Sequence, residues 1–281
     1  MTIETRSEHG CFTGRQGFYT HYSGATGTAM NFSVFVPGAA KSRKVPVLYY
    51  LAGLTCTEET FMIKAGAQKL ADALGLMLVT CDTSPRGLDL PGEHDDWDFG
   101  SGAGFYLDAT ASPWCEHYRM GSYINEELPA LIEAHFPALK GVRGICGHSM
   151  GGHGALVSAL RNPEVWRSVS AFAPIANPVA VPWGQKALGR YLLSEAEWSE
   201  WDASCLMAKR AFPGEILIDQ GDADQFLERE LHPESLEQAA GISGQQLRLR
   251  RHSGFDHGYY FIQSFIDDHL RHHGAALSGG K

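Results

Sequence analysis

The stretch Gly144–Leu156, GICGHSMGGHGAL, decides how the chain is read. It sets five glycines and one serine between an apolar run and a run with helical apolar spacing. VRGICG before it reads as a strand, and MGGHGALVSALR, Met150 to Arg161, reads as a helix. Between them Gly147-His148-Ser149-Met150-Gly151 has the form Gly-x-Ser-x-Gly. A sharp strand-to-helix turn is the context in which this motif carries a nucleophile. The serine sits on a strained backbone with its oxygen exposed, and the glycines are there because side chains would strike the neighbouring strand and helix. The turn also places Ser149 at a helix N-terminus, where developing negative charge is favoured.

Working outward, strand and helix patterns alternate. NFSVFVP (residues 31–37) alternates polar and apolar, whereas VPVLYYL (45–51), LMLVTCD (76–82), SVSAFAP (168–174) and EILIDQG (215–221) read as buried strands. QLRLRR (246–251) is the last strand. Helical spacing covers 61–74, 122–136, about 226–240 and 259–273. This order predicts an α/β fold: one domain over residues 1–281, a mostly parallel central sheet and helices on both faces. Two irregular insertions, at about 83–120 and 175–213, are too long for ordinary connections and are expected to shape a site. In such sheets the site lies at the carboxyl ends of the strands.

A serine hydroxyl needs a base, and the base needs an orienting acid. In this fold class the chain order is serine, acid, histidine. IDQGDADQFL offers Asp219, Asp222 and Asp224; Asp219 lies within the strand pattern, and pattern alone leaves Asp222 and Asp224 open. HSGFDHGYYF, after the last strand, offers His257 just before the final helix, with His252 as the runner-up. The oxyanion would take one backbone N–H from Met150 and another from the loop LAGLTCTEETF, at Gly53 and Leu54.

Composition narrows the class further. The chain has 281 residues, 44% of them hydrophobic, and a formal net charge of −9, which argues against a broad nucleic-acid footprint. Six cysteines show no CxxC pair, the N-terminus is polar, and no apolar run approaches a membrane span. A reduced, cytoplasmic protein without membrane or nucleic-acid partners is expected. No cofactor or metal is needed: HLRHH (269–273) lacks a ligand cluster and reads as a solvated helix end.

Together YYLAGLTCTEETF, SPRG, DFGSGAGFYLDAT, PWCEHYRM, GHSMGGHGAL, PVAVPWGQKAL, DQGDADQFL and FDHGYYF resemble the S-formylglutathione hydrolase (esterase D) family, over residues about 10 to 270. The resemblance implies an α/β-hydrolase thioesterase that hydrolyses S-formylglutathione in formaldehyde detoxification, cleaves small carboxylic esters and forms a homodimer. The alternative is a broad carboxylesterase or acyltransferase. By motif match the resemblance implies Ser149 as nucleophile, Asp224 as acid, His257 as base, and Leu54 and Met150 as oxyanion donors. Cys56, Gly53, His148 and Trp183 would lie near the site, with Cys56 able to confer thiol-reagent sensitivity. LDLPGEHDDWDFG varies among relatives and bears on substrate preference. Trp97, Phe105, Tyr106 and Trp183 are expected near the acyl pocket, with Lys64, Arg86 or Lys186 receiving glutathione carboxylates.

Overall fold

A computed structural model of the chain describes residues 2–278. Nine strands form one sheet in the order β1-β2-β3-β5-β4-β6-β7-β8-β9. The strands are β1 (Ile3–Cys11), β2 (Gly14–Tyr22), β3 (Ala29–Val36), β4 (Val45–Leu51), β5 (Met77–Cys81), β6 (Ala138–His148), β7 (Ser168–Phe172), β8 (Ile216–Gly221) and β9 (Leu247–His252). From β5 to β9 every pairing is parallel, while β1, β2 and β3 add an antiparallel edge. This is the α/β-hydrolase architecture that the motif order implied.

The parallel strands are apolar because helices cover both faces; β5, β7 and β8 are buried throughout. Helix α1 (Glu58–Lys64) and helix α2 (Gln68–Leu74) replace the single helix expected over 61–74. Gly66, at φ +68°, turns the chain between them. Helix α3 (Met120–Ser122) runs through a π-helical turn at Tyr123–Glu127 into α4 (Leu128–His135). Helix α5 (Met150–Arg161) is buried along its whole length up to Leu160, and apart from His153 and Ser158 the buried residues are apolar or glycine. Helices α6 (Pro182–Tyr191), α7 (Ala203–Lys209), α8 (Pro233–Ser243) and α9 (Tyr259–Ser278) complete the layers. The helix expected over about 226–240 is broken by a π-helical turn at Leu227–Leu231 and by His232 at φ +48°.

Two features depart from the sequence reading. The hairpin β1–β2 was not expected, because β1 is almost wholly exposed and polar on both faces, as suits a sheet edge guarded against further pairing. The stretch His269–His273 is not a solvated helix end. His269 and His273 are fully buried on the inner face of α9, against Ser168 and Ser170 of β7. Two histidines four residues apart share one helix face, and here that face packs on the sheet.

The long segments after β5 and β7 interlock over the carboxyl end of the sheet. Phe99, Trp114, Tyr118 and Tyr191 form one buried aromatic cluster. The Gly100 N–H donates to the Tyr191 hydroxyl, which donates to the Ala103 carbonyl. No helix among the described residues is long and apolar enough to cross a membrane.

Candidate active site

The elbow takes its shape from two close backbone approaches. A Cβ on Gly147 would lie 2.1 Å from the Gly151 carbonyl oxygen, and one on Gly151 would lie 2.0 Å from that of Leu51. Only glycine fits at either position, so β6 can turn directly into α5. Ser149, on the crest, has φ +58° and ψ −121°, a conformation that L-residues rarely adopt. The residue is 3% exposed.

The loops after β8 and β9 are stitched together by backbone bonds, Asp222 N–H to His252 carbonyl and Ala223 N–H to Phe255 carbonyl. This stitching sets Asp224 against His257. The His257 Nδ1–H donates to Asp224 Oδ2 at 2.5 Å. The same carboxylate accepts from Gln220 Nε2 at 3.2 Å and, through Oδ1, from the Phe226 N–H at 2.8 Å. Its side chain is fully buried, so a full set of donors is what keeps a carboxylate there. With Nδ1 donating, Nε2 of a neutral His257 is the acceptor, as a general base requires.

Asp222, the competing acid, is exposed, and its side chain makes no hydrogen bond or ion pair among the described residues. His252, the competing base, stacks on Phe265 at 3.7 Å with Nε2 3.2 Å from Asp219 Oδ1, turned toward α9. The geometry thus separates what the pattern left open.

His148 bridges the elbow and the base. Its ring lies 4.4 Å from that of His257, and both of its nitrogens are buried without a partner. Burial, reinforced by His257, holds its pKa well below the ordinary histidine range, so it stays neutral. A Cβ on Gly53 would lie 3.2 Å from Ser149 Cβ and 3.3 Å from His148 Nδ1, so the loop after β4 rests on the elbow. In that loop the Thr55 N–H is bonded to Gly102 and the Cys56 N–H to Gly53, whereas the Leu54 N–H donates to no group among the described residues. Tyr106 steadies the loop from below by donating to the Ala52 carbonyl at 2.9 Å. Among the described residues the Nδ1 bond to Asp224 is the one hydrogen bond that the His257 side chain makes; a bond from a nucleophile to the free Nε2 commonly tightens only with substrate.

Cys56 belongs to this loop, and burial pushes its thiol up, which keeps it protonated. Trp183 packs on Phe226 at 4.7 Å, and Phe226 stands edge-on to His257 at 5.0 Å. Trp97, 57% exposed, extends this wall outward from Trp183. Phe105 and Tyr106 instead belong to the core: both are buried, Phe105 against His153 and Tyr106 under the β4 loop. Phe226 carried no signal beyond its place in the DQFL motif, yet it forms the wall beside the base.

A second Ser-His-Asp arrangement lies deeper. Ser170 Oγ is 2.8 Å from His269 Nδ1, and His269 Nε2 is 3.2 Å from Asp219 Oδ2. All three residues are fully buried, and Asp219 also accepts from Arg250 Nε and Nη2. No substrate carbonyl can reach Ser170, and Asp219 is spent on the ion pair. This network holds α9 to the sheet. No group of three or more His, Cys, Asp or Glu among the described residues is arranged to hold a metal ion.

Residues 23–272 match the family model described as "Putative esterase". The chain is 49% identical to an S-formylglutathione hydrolase of Paracoccus denitrificans (strain Pd 1222), covering 99% of each protein. The chain belongs to the S-formylglutathione hydrolase family. Another member, from Arabidopsis thaliana, is 51% identical over 95% of each chain. The solved structure of an S-formylglutathione hydrolase from Agrobacterium tumefaciens superposes with a TM-score of 0.94 at 48% identity, covering 97% of this chain and 99% of that one. A ferulic acid esterase at TM-score 0.70 and 19% identity shares the fold alone.

Proposed function

We propose that the chain is a serine thioesterase that hydrolyses S-formylglutathione to formate and glutathione, with Ser149 as nucleophile, His257 as base and Asp224 as orienting acid. The observation that carries this is the buried Asp224–His257 pair beside the Ser149 elbow, in a chain nearly half identical to S-formylglutathione hydrolases along its whole length. Ser149 Oγ attacks the formyl carbon while its proton passes to His257 Nε2. The oxyanion receives hydrogen bonds from the Leu54 and Met150 N–H groups, each worth on the order of 10²-fold in rate. The C–S bond then breaks and the sulfur takes the proton from His257. A thiol of pKa about 8.5 leaves with little help. Water, deprotonated by His257, attacks the formyl-Ser149 ester; formate leaves and Ser149 recovers its proton.

The same machinery accepts small oxygen esters as a side activity. Six unpaired cysteines suit a reducing compartment, which supports a cytoplasmic site of action in formaldehyde detoxification. A homodimeric state rests on the family likeness. The test is the loss of thioester absorbance on adding S-formylglutathione, with p-nitrophenyl acetate in parallel and Ser149→Ala as the blank. A kcat/KM for the thioester well above that for the ester supports the proposal; comparable or reversed values refute it.

A further inference from the structure

Two clefts are lined by neighbours of His257, one by Phe226 and the other by Asp256 and Gly258. One, of about 500 Å³, runs from Phe226 and Trp183 to Trp97 and contains Lys186 and Arg229. The other, of about 520 Å³, is lined by Lys64, Asp256, Gly258, Tyr259, Tyr260 and Gln263. Both are large enough for a tripeptide thiol. They differ in how their charges are used. In the first, Lys186 is held by Asp96 and Asp98, and Arg229 lies against Glu230. Arg86 is bound to Asp82 and to the Cys56 carbonyl. Lys64 pairs with no carboxylate among the described residues; its ammonium lies 5.8 Å from the centre of the Tyr259 ring. Asp256, in the same cleft, spends one oxygen on the Gly258 N–H and leaves the other open.

This second cleft is lined by Asp256 and Gly258, the chain neighbours of His257, and its link to the base runs through Tyr259 and His148, whose ring lies 4.4 Å from that of His257. Tyr259, its back wall, faces His148 at 6.1 Å between ring centres. A thioester whose carbonyl sits at Ser149 would place its sulfur between the elbow and His257. The γ-glutamyl head of glutathione carries one carboxylate and one ammonium about 8 Å from that sulfur when extended. We propose that this cleft is the γ-glutamyl subsite: Lys64 receives the carboxylate, Asp256 the ammonium, and Tyr259 and Tyr260 flank the connecting chain. The assignment rests on the thioesterase reading above and adds to it which residues select the glutathione leaving group.

The test compares S-formylglutathione with the formyl thioester of N-acetylcysteamine, which has the same reacting atoms and no charge. Lys64→Ala is expected to raise KM for the glutathione thioester about tenfold with kcat within about twofold, as loss of one charge-assisted hydrogen bond implies. Lys64→Arg should recover most of that loss. Asp256→Asn, which keeps the oxygen that accepts from Gly258, should raise the same KM severalfold. The ratio of kcat/KM between the two thioesters should fall in both variants. Glutathione, used as a competitive inhibitor of the neutral thioester, should show the same tenfold weaker binding to Lys64→Ala. A glutathione-thioester KM and a glutathione inhibition constant both within twofold of wild type in Lys64→Ala would overturn the subsite. A wild-type enzyme that cleaves the neutral thioester but not the glutathione one would overturn S-formylglutathione as the substrate and the subsite with it.

Discussion

Replacing Asp224 with asparagine tests the base and its acid together. The side chain keeps its size, and Oδ1 remains to accept the Phe226 N–H at 2.8 Å. The new amide nitrogen then takes the place of Oδ2, where it faces two donors, His257 Nδ1–H and Gln220 Nε2–H. Gln220 can turn its amide to present Oε1, which has no partner, at the cost of its Nε2 bond to the Gly221 carbonyl. His257 can relieve the clash only by moving its proton to Nε2. In that tautomer Nε2 donates and cannot take the Ser149 proton. Flipping the asparagine instead sets its NH₂ against the Phe226 N–H in a buried site, at about 1–3 kcal/mol, and still leaves no charge to stabilise an imidazolium. A wrong tautomer costs a Ser-His-Asp hydrolase on the order of 10⁴ in kcat, about 5.5 kcal/mol. The expected drop is therefore about 10³- to 10⁴-fold in kcat/KM on thioester and ester alike, with a thermal midpoint within a few degrees of wild type. Asp222→Asn, on an exposed side chain, should stay within about twofold. An Asp224→Asn enzyme within tenfold of wild type, or a larger loss from Asp222→Asn, would refute the assignment.

Gly151→Ala drives a methyl group to 2.0 Å from the Leu51 carbonyl, so the elbow and the β4 loop must part; we expect a loss of at least about 3 kcal/mol, seen as a lower thermal midpoint, together with a loss of activity beyond the change in folded fraction. Stability should also fall as pH drops from about 7. Burial holds His269 below its usual range and His148 and His273 well below it, and pushes His153 down to about 4. The unfolded chain takes up these protons near pH 6.5 while the native state does not, so each such histidine contributes up to about 1.4 kcal/mol per pH unit of acid destabilisation. Urea midpoints measured between pH 7 and 4 check this, and a flat profile would contradict it. Burial opposes ionisation of Asp219, yet His269 and the Arg250 fork outweigh it and hold its carboxyl far below the usual range. Its contribution is present above about pH 4 and is lost only below that.

Much of the frame was legible because the relevant physics is local. VPVLYYL matches β4 residue for residue, since a strand covered on both faces must be apolar throughout. Met150–Arg161 matches α5 because the Gly-x-Ser-x-Gly turn marks its start. What escaped depends on tertiary context. The strand β1 alternates nothing, since as an edge it has no buried face to declare. The inward histidines of α9 look like a polar tail until Ser168 and Ser170, alternate residues on one face of β7, supply their partners. Asp222 and Asp224 are indistinguishable by spacing; the motif match implied Asp224, and the contact with His257 Nδ1 is what sets it apart physically. Similarly, the cations Lys64, Arg86 and Lys186 read alike until their carboxylate partners are placed.

The most direct test is to treat the native protein with a fluorophosphonate and map the adduct by peptide mass spectrometry, with Ser149→Ala and Ser170→Ala treated alongside. Ser149 stands on the crest of the elbow with 3% of its surface exposed, whereas Ser170 is fully buried between β7 and α9. The account requires one adduct, on Ser149, retained in Ser170→Ala and lost in Ser149→Ala. An adduct on Ser168 or Ser170, or labelling that survives Ser149→Ala, would contradict it.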